Sequence, residues 1–144
     1  MRKKFFGAIL LSFVLLTTSG CVEAEVSPDG TEGSSSQKPG AIYQKISAAE
    51  ASKMMREADS YILLDVRTVE EFTEAHIGGA TLIPDFELED KAAAQLPDKD
   101  KLILIYCRSG RRSAAAAKLL ISMGYINVYD FGGIINWPYE TVSK

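Results

Sequence analysis

The 144 residues leave room for one domain, and a hydrophobic share of 47% supplies one ordinary core, which excludes a pair of independent domains. A formal net charge of −3 speaks against a nucleic-acid binder. No His and Cys cluster has metal-ligand spacing, no Gly-rich nucleotide loop is present and no carboxylate pair stands out, so no metal and no cofactor are expected.

In chain order, Arg2, Lys3 and Lys4 precede an uncharged apolar run from Phe5 to Leu16, the layout of an export signal and too short for a comfortable membrane span. Thr17, Thr18, Ser19 and Gly20 then place small residues ahead of Cys21. This resembles the bacterial lipoprotein signal, or lipobox, with Thr18 where leucine is usual. The resemblance implies removal of residues 1–20 and lipidation of Cys21. It also implies an exported chain anchored on the outer face of a bacterial cell membrane, or on a periplasmic face where two membranes are present. Val22 to Gly40, rich in Ser, Gly, Pro, Glu and Asp, reads as a flexible tether, which puts the lipidated cysteine and tether at 21–40 and the folded domain at 41–144. Loss of the first three cations takes the net charge from −3 to −6, and a monomer is the default for so small a unit.

Ile42 to Ile46 predicts a strand, and Ser47 with Glu50 a capping box opening a helix to about Ala58. Tyr61 to Val66 is a near-continuous apolar run, the pattern of a strand buried on both faces of a parallel sheet. Thr68 and Glu71 repeat the capping-box spacing for a short helix carrying Phe72 and stopping around His76 to Gly79. Thr81 to Ile83 predicts a brief strand ended by Pro84, and Leu88 to Leu96 a helix closed by Pro97. Leu102 to Tyr106 is the strongest strand signal and should be central; Ala114 to Met123 reads as a helix stopped by Gly124. Asn127 to Phe131 predicts a last strand, Gly132 and Gly133 a turn, and Ile134 to Trp137 a short terminal helix. The alternation argues for an α/β domain: a small, open, mostly parallel sheet of five strands with helices on both faces.

Ligands of such sheets bind beyond the carboxyl ends of strands, and Cys107 lies at such an end, just before a helix. Backbone N–H groups of a tight loop and of a helix N-terminus converge there and favour negative charge, so Cys107 is expected as a reactive thiolate. Arg108, Arg111 and Arg112 stand within five residues of it and would draw in anions. With only Cys21 and Cys107 in the chain, lipidation of the first leaves the second as the one free thiol of an exported protein, which also points to reactivity. A buried inert cysteine behind a solvated basic loop is the competing reading of the same residues.

Asp65-Val66-Arg67 with Glu71-Phe72, His76-Ile77-Gly78-Gly79-Ala80, Ile83-Pro84, the loop Tyr106-Cys107-Arg108-Ser109-Gly110-Arg111-Arg112-Ser113, Gly124-Tyr125 with Val128, and Gly132-Gly133 through Trp137 together resemble the rhodanese, or thiosulfate sulfurtransferase, superfamily. The resemblance implies a double displacement in which Cys107 takes the outer sulfur of thiosulfate, polysulfide or a thiosulfonate, holds it as a persulfide and passes it to a thiol or cyanide. It makes Arg108, Ser109, Gly110, Arg111, Arg112 and Ser113 the substrate-binding loop, with Ser113 either a hydroxyl donor or the cap of the next helix. His76, the only histidine, is expected to steady a turn, Asp65 and Arg67 to pair at the mouth of the sheet, and Trp137 to pack in the core or as a lid. Relatives with phosphatase or arsenate reductase chemistry have a longer loop, whereas only four residues separate Cys107 from Arg112 here; the shorter loop suits an exposed sulfur. A sulfur-carrier or oxidant-sensing module is the other alternative.

Overall fold

A computed structural model describes residues 41–144; the signal, Cys21 and tether expected at 1–40 lie outside the described residues. Five strands form one parallel sheet: β1 (Ile42–Lys45), β2 (Ile62–Asp65), β3 (Thr81–Leu82), β4 (Ile103–Cys107) and β5 (Asn127–Gly133), in the spatial order β1-β5-β4-β2-β3. Between them run α1 (Ala48–Glu57), α2 (Val69–Glu74), α3 (Leu88–Gln95) and α4 (Arg111–Ser122), with 3-10 turns at Asp85–Glu87 and Ile134–Asn136.

The uninterrupted apolar run of β4 has the consequence expected of it. The strand is central and every residue in it is buried. Ile103, Ile105 and Cys107 join Leu64, Val66 and Val128 in a core with Leu88, Ala92 and Leu96 from the α3 side and Ala116, Ala117, Leu120 and Ile121 from α4. Leu104 and Tyr106, on the opposite face, pack with Leu63, Ile77, Phe131 and Ala51 of α1. Tyr125 ties the first core together from within, its hydroxyl lying 3.0 Å from the Ala92 carbonyl and 2.8 Å from that of Leu96.

Both capping boxes form. The Glu50 amide donates to Ser47 Oγ (3.2 Å) and the Ser47 amide to Glu50 Oε2 (2.8 Å); the Glu71 amide donates to Thr68 Oγ1 (3.3 Å) and the Thr68 amide to Glu71 Oε2 (3.2 Å). Two expectations are corrected. Helix α4 begins at Arg111 rather than Ala114, with Gly110 as its N-cap in a left-handed conformation and no side chain capping it, so Ser113 is in the first turn and not a cap. Gly132 and Gly133 are not a turn after β5 but its last two residues. They accommodate a bulge: Ile105 pairs with Asp130 but Cys107 with Gly133, so β5 carries one residue more than β4 over this stretch.

The side chains expected beside the mouth of the sheet stand as expected. Asp65 accepts from Arg67 Nε (3.0 Å) and Nη2 (2.6 Å) and from its backbone amide (2.9 Å), both residues being buried. Arg67 Nη2 also donates to the Ala75 carbonyl (2.7 Å), fixing the end of α2. The ring of His76 stacks on Phe72 with centroids 3.8 Å apart, and its Nδ1 lies 2.8 Å from the Phe72 carbonyl, the expected role in a turn. Trp137 packs against the second core.

Candidate active site

The end of β4 delivers Cys107 to the mouth of the sheet, and Arg108 to Gly110 turn the chain into α4. Gly110 makes the turn possible: at φ +102° a side chain is strained, and a Cβ would sit 3.3 Å from Gly132 Cα. Gly133 serves closeness of approach, since a Cβ there would run into the Arg108 carbonyl oxygen and stand 2.6 Å from Ser109 Cα. The loop therefore rests directly on the backbone of β5.

Around the sulfur the donors converge as the strand-loop-helix order demands. The Gly110 amide donates to Cys107 Sγ at 3.0 Å. Burial pushes the Cys107 thiol up, but the amide and hydroxyl of Ser113 and the amides of Gly110 and Ser109 outweigh it and leave the group below the ordinary thiol range. Ser113 Oγ lies 3.2 Å from the Gly110 carbonyl and 3.3 Å from that of Gly132. A hydroxyl has one proton, and a charged sulfur is the stronger acceptor, so ionisation of Cys107 draws it from the carbonyls. Cys107 is 1% exposed. The expected exposed sulfur is thus corrected: the short loop folds over the strand end, and the reactive atom is shielded by it.

The three arginines divide. Arg112 Nη2 contacts both carboxylate oxygens of Glu71, at 2.8 and 2.7 Å, with each side chain about a quarter exposed or less. Arg108 and Arg111 are exposed and enter no ion pair among the described residues. A cleft of about 380 Å³ is lined by Arg108, Ser109, Arg111, Arg112 and Glu71, so the residues that follow the sulfur form a cationic bowl with one carboxylate in its wall. The structure brings the predicted loop together and adds Glu71, which the sequence offered as a helix cap and as part of the family resemblance but not as a wall of the site. It also adds Gly133 as the floor, and the buried carboxylate of Asp130, which accepts from the Gly132 amide at 2.9 Å and so holds the backbone on which Ser113 rests.

What such a site can do follows from its parts. A thiol held below its ordinary range in a dry setting, on a loop whose next residues line a guanidinium-rich cleft, can act as a nucleophile toward a small anion. Comparison with known proteins points the same way. The profile of the rhodanese-like domain family matches residues 47–138. The chain is 38% identical over 71 residues to the thiosulfate sulfurtransferase PspE of Escherichia coli, spanning 49% of this chain and 68% of that protein. It is 31% identical over 97 residues to the thiosulfate sulfurtransferase GlpE of Coxiella burnetii, spanning 67% and 88%. Among solved structures, an Escherichia coli rhodanese with anions superposes with a TM-score of 0.56 at 33% identity, covering 59% of this chain and all (100%) of that one. A rhodanese-like domain protein from Staphylococcus aureus gives 0.58 at 30% identity, covering 70% and 98%. With its parallel five-stranded sheet, its cysteine loop and its sulfurtransferase relatives, the chain belongs to the rhodanese-like family.

Proposed function

We propose that the protein is a sulfurtransferase that moves a sulfane sulfur from thiosulfate, or a similar anionic donor, to a thiol or cyanide through a persulfide on Cys107. The observation that carries the reading is the Gly110 amide donating at 3.0 Å to a buried sulfur whose loop goes on to line an arginine-rich cleft, with Ser113 in the next turn helping to hold the thiol below its ordinary range. The names of the sulfurtransferase relatives support it.

In the first half, the Cys107 thiolate attacks the outer sulfur of thiosulfate, the S–S bond of the donor breaks, and sulfite leaves with the bonding pair. Arg108 and Arg111 receive the sulfonate charge, and the loop amides hold the negative persulfide as they held the thiolate. In the second half, an acceptor thiolate or cyanide attacks the terminal sulfur, and the Cys107 thiolate departs with the pair. No net oxidation occurs, and the enzyme returns unchanged. The chain is further proposed to be exported and lipid-anchored through Cys21, a reading supported by Arg2, Lys3, Lys4 and the apolar run that precedes the cysteine.

The test supplies thiosulfate and cyanide to the full chain and measures thiocyanate, sulfite and the intact mass before cyanide is added. A one-sulfur mass gain and thiocyanate formation, both abolished in Cys107→Ser, are expected. An alkylatable Cys107 that gains no sulfur overturns thiosulfate transfer. Incorporation of labelled palmitate that disappears in Cys21→Ser is the expected result for the anchor.

A further inference from the structure

A second cleft of about 380 Å³ adjoins the first, sharing Glu71 and Arg108 with it. Its other walls are Glu74 and Ala75 at the end of α2, the Arg67 guanidinium, and Ile134 and Ile135 after β5. Its size is at the small-molecule end of ligand clefts, roughly 300–1,000 Å³. The walls are tied down on two sides: Arg67 Nη2 donates to the Ala75 carbonyl at 2.7 Å, and the Ile135 amide donates to the Arg108 carbonyl at 3.3 Å.

Charge accounting separates this cleft from its neighbour. Arg67 is spent on Asp65, and Glu71 on Arg112. What remains is one anion, Glu74, and one cation, Arg108, neither in an ion pair among the described residues, lining one cleft together with an apolar wall that includes Ile135, 64% exposed. The first cleft, with Arg108, Arg111 and Arg112 against a single Glu71, suits an anion. The second suits a small molecule bearing both charges.

We infer that the second cleft is the acceptor subsite and that it selects a zwitterionic thiol of amino-acid size, its ammonium on Glu74, its carboxylate on Arg108 and its carbon chain against Ile134 and Ile135. The inference rests on the persulfide reading, since the acceptor thiolate must find a sulfur on Cys107. The step balances: the thiolate attacks the terminal sulfur, a new S–S bond forms on the acceptor as the Cys107 S–S bond breaks, and the Cys107 thiolate leaves with the pair. Arg108, common to both clefts, would hold the sulfonate in one half-reaction and the acceptor carboxylate in the other.

The test loads the full chain in detergent from thiosulfate, removes the excess and records the one-sulfur mass gain. Decay of that mass is then followed against cysteine, cysteamine, 3-mercaptopropionate and 2-mercaptoethanol, each compared at equal thiolate concentration. Exposed ion pairs change affinity about two- to fivefold each, so half-saturation by cysteine is expected at a correspondingly lower concentration than by mercaptoethanol. Glu74→Gln should erase the advantage of cysteamine over mercaptoethanol and cut that of cysteine to the share that Arg108 supplies, and Glu74→Lys should turn the preference toward mercaptopropionate. Glu74 is exposed, so both variants should melt with the parent. A mass gain followed by decay that ignores the charge of the thiol, or a Glu74→Gln effect equal for all four, overturns the acceptor subsite and leaves sulfur loading standing. Absence of any mass gain overturns both readings together.

Discussion

Replacing Ser113 by alanine isolates the hydroxyl that leaves the Gly110 and Gly132 carbonyls for the sulfur when Cys107 ionises. The thiolate form of Cys107 loses one hydrogen bond to a charged acceptor, about 1.5–3 kcal/mol. At 1.36 kcal/mol per unit, that raises the titration midpoint by about one to two units. Burial of Cys107 works in the same direction, and only the amides of Ser113, Gly110 and Ser109 then oppose it. Below both midpoints the thiolate fraction falls about tenfold per unit, but a more basic thiolate attacks faster, with a Brønsted slope of about 0.4–0.5, so the net loss of rate is about three- to tenfold. The assay is the pH dependence of iodoacetamide alkylation in a Cys21→Ser background, where Cys107 is the only remaining thiol. Stability should fall little, because the Gly110 carbonyl keeps the Ala114 amide at 3.2 Å. A midpoint in Ser113→Ala equal to or below the parent's would refute the account of the donors.

Three more expectations follow from the same geometry. Gly133→Ala should push the loop off β5, because its Cβ meets the Arg108 carbonyl and Ser109 Cα; a loss of about 1–3 kcal/mol in urea unfolding is expected, with sulfur transfer reduced more than melting suggests. Glu71→Gln should free the Arg112 charge and lower the half-saturating thiosulfate concentration by about two- to fivefold, an effect that shrinks with added salt. Burial pushes the Glu71 carboxyl up, but Arg112 and the Thr68 amide hold it below its ordinary 4.5. Its contribution is therefore complete above pH 4.5 and lost as pH falls through the folded value; acid unfolding of Glu71→Gln should be flatter in that window. Tyr106→Phe should cost about 1–3 kcal/mol by stranding the Ile77 amide, which donates to the Tyr106 hydroxyl at 3.1 Å, and calorimetry without a drop in melting temperature would count against that bond.

The parts of the fold that were legible in the sequence are those decided locally. The runs Ile62–Asp65 and Ile103–Cys107 lack alternation because both faces of their strands are covered, and the two capping boxes work within four residues. The start of α4 was not legible. Ser113 has the chemistry of a cap, whereas the chain uses the left-handed Gly110, whose capping needs no side chain. Nor did Gly132-Gly133 reveal its purpose, because a glycine pair signals a turn unless one knows that Arg108 lies across it. The loop and its nucleophile were visible as a motif. The Glu71–Arg112 pair spans 41 residues, and a carboxylate already committed to a helix cap gives no local sign of a second partner.

The bulge in β5 also resets which residues meet water. Tyr129 and Phe131 face the α1 side of the sheet, and strict alternation would continue with residues 133 and 135; instead Ile134 joins that side and Ile135 is left outside. Parity, not composition, therefore decides which isoleucine is solvent-facing. Flattening the bulge with every residue kept would exchange the fates of Ile134 and Ile135, whereas removing Gly132 along with the bulge would leave both on the sides they now face. When family members are compared, a single-residue gap between Phe131 and Ile134 should be read as loss of the bulge with both faces of the strand kept in register, and the same stretch at full length without a bulge as a change in which isoleucine meets water.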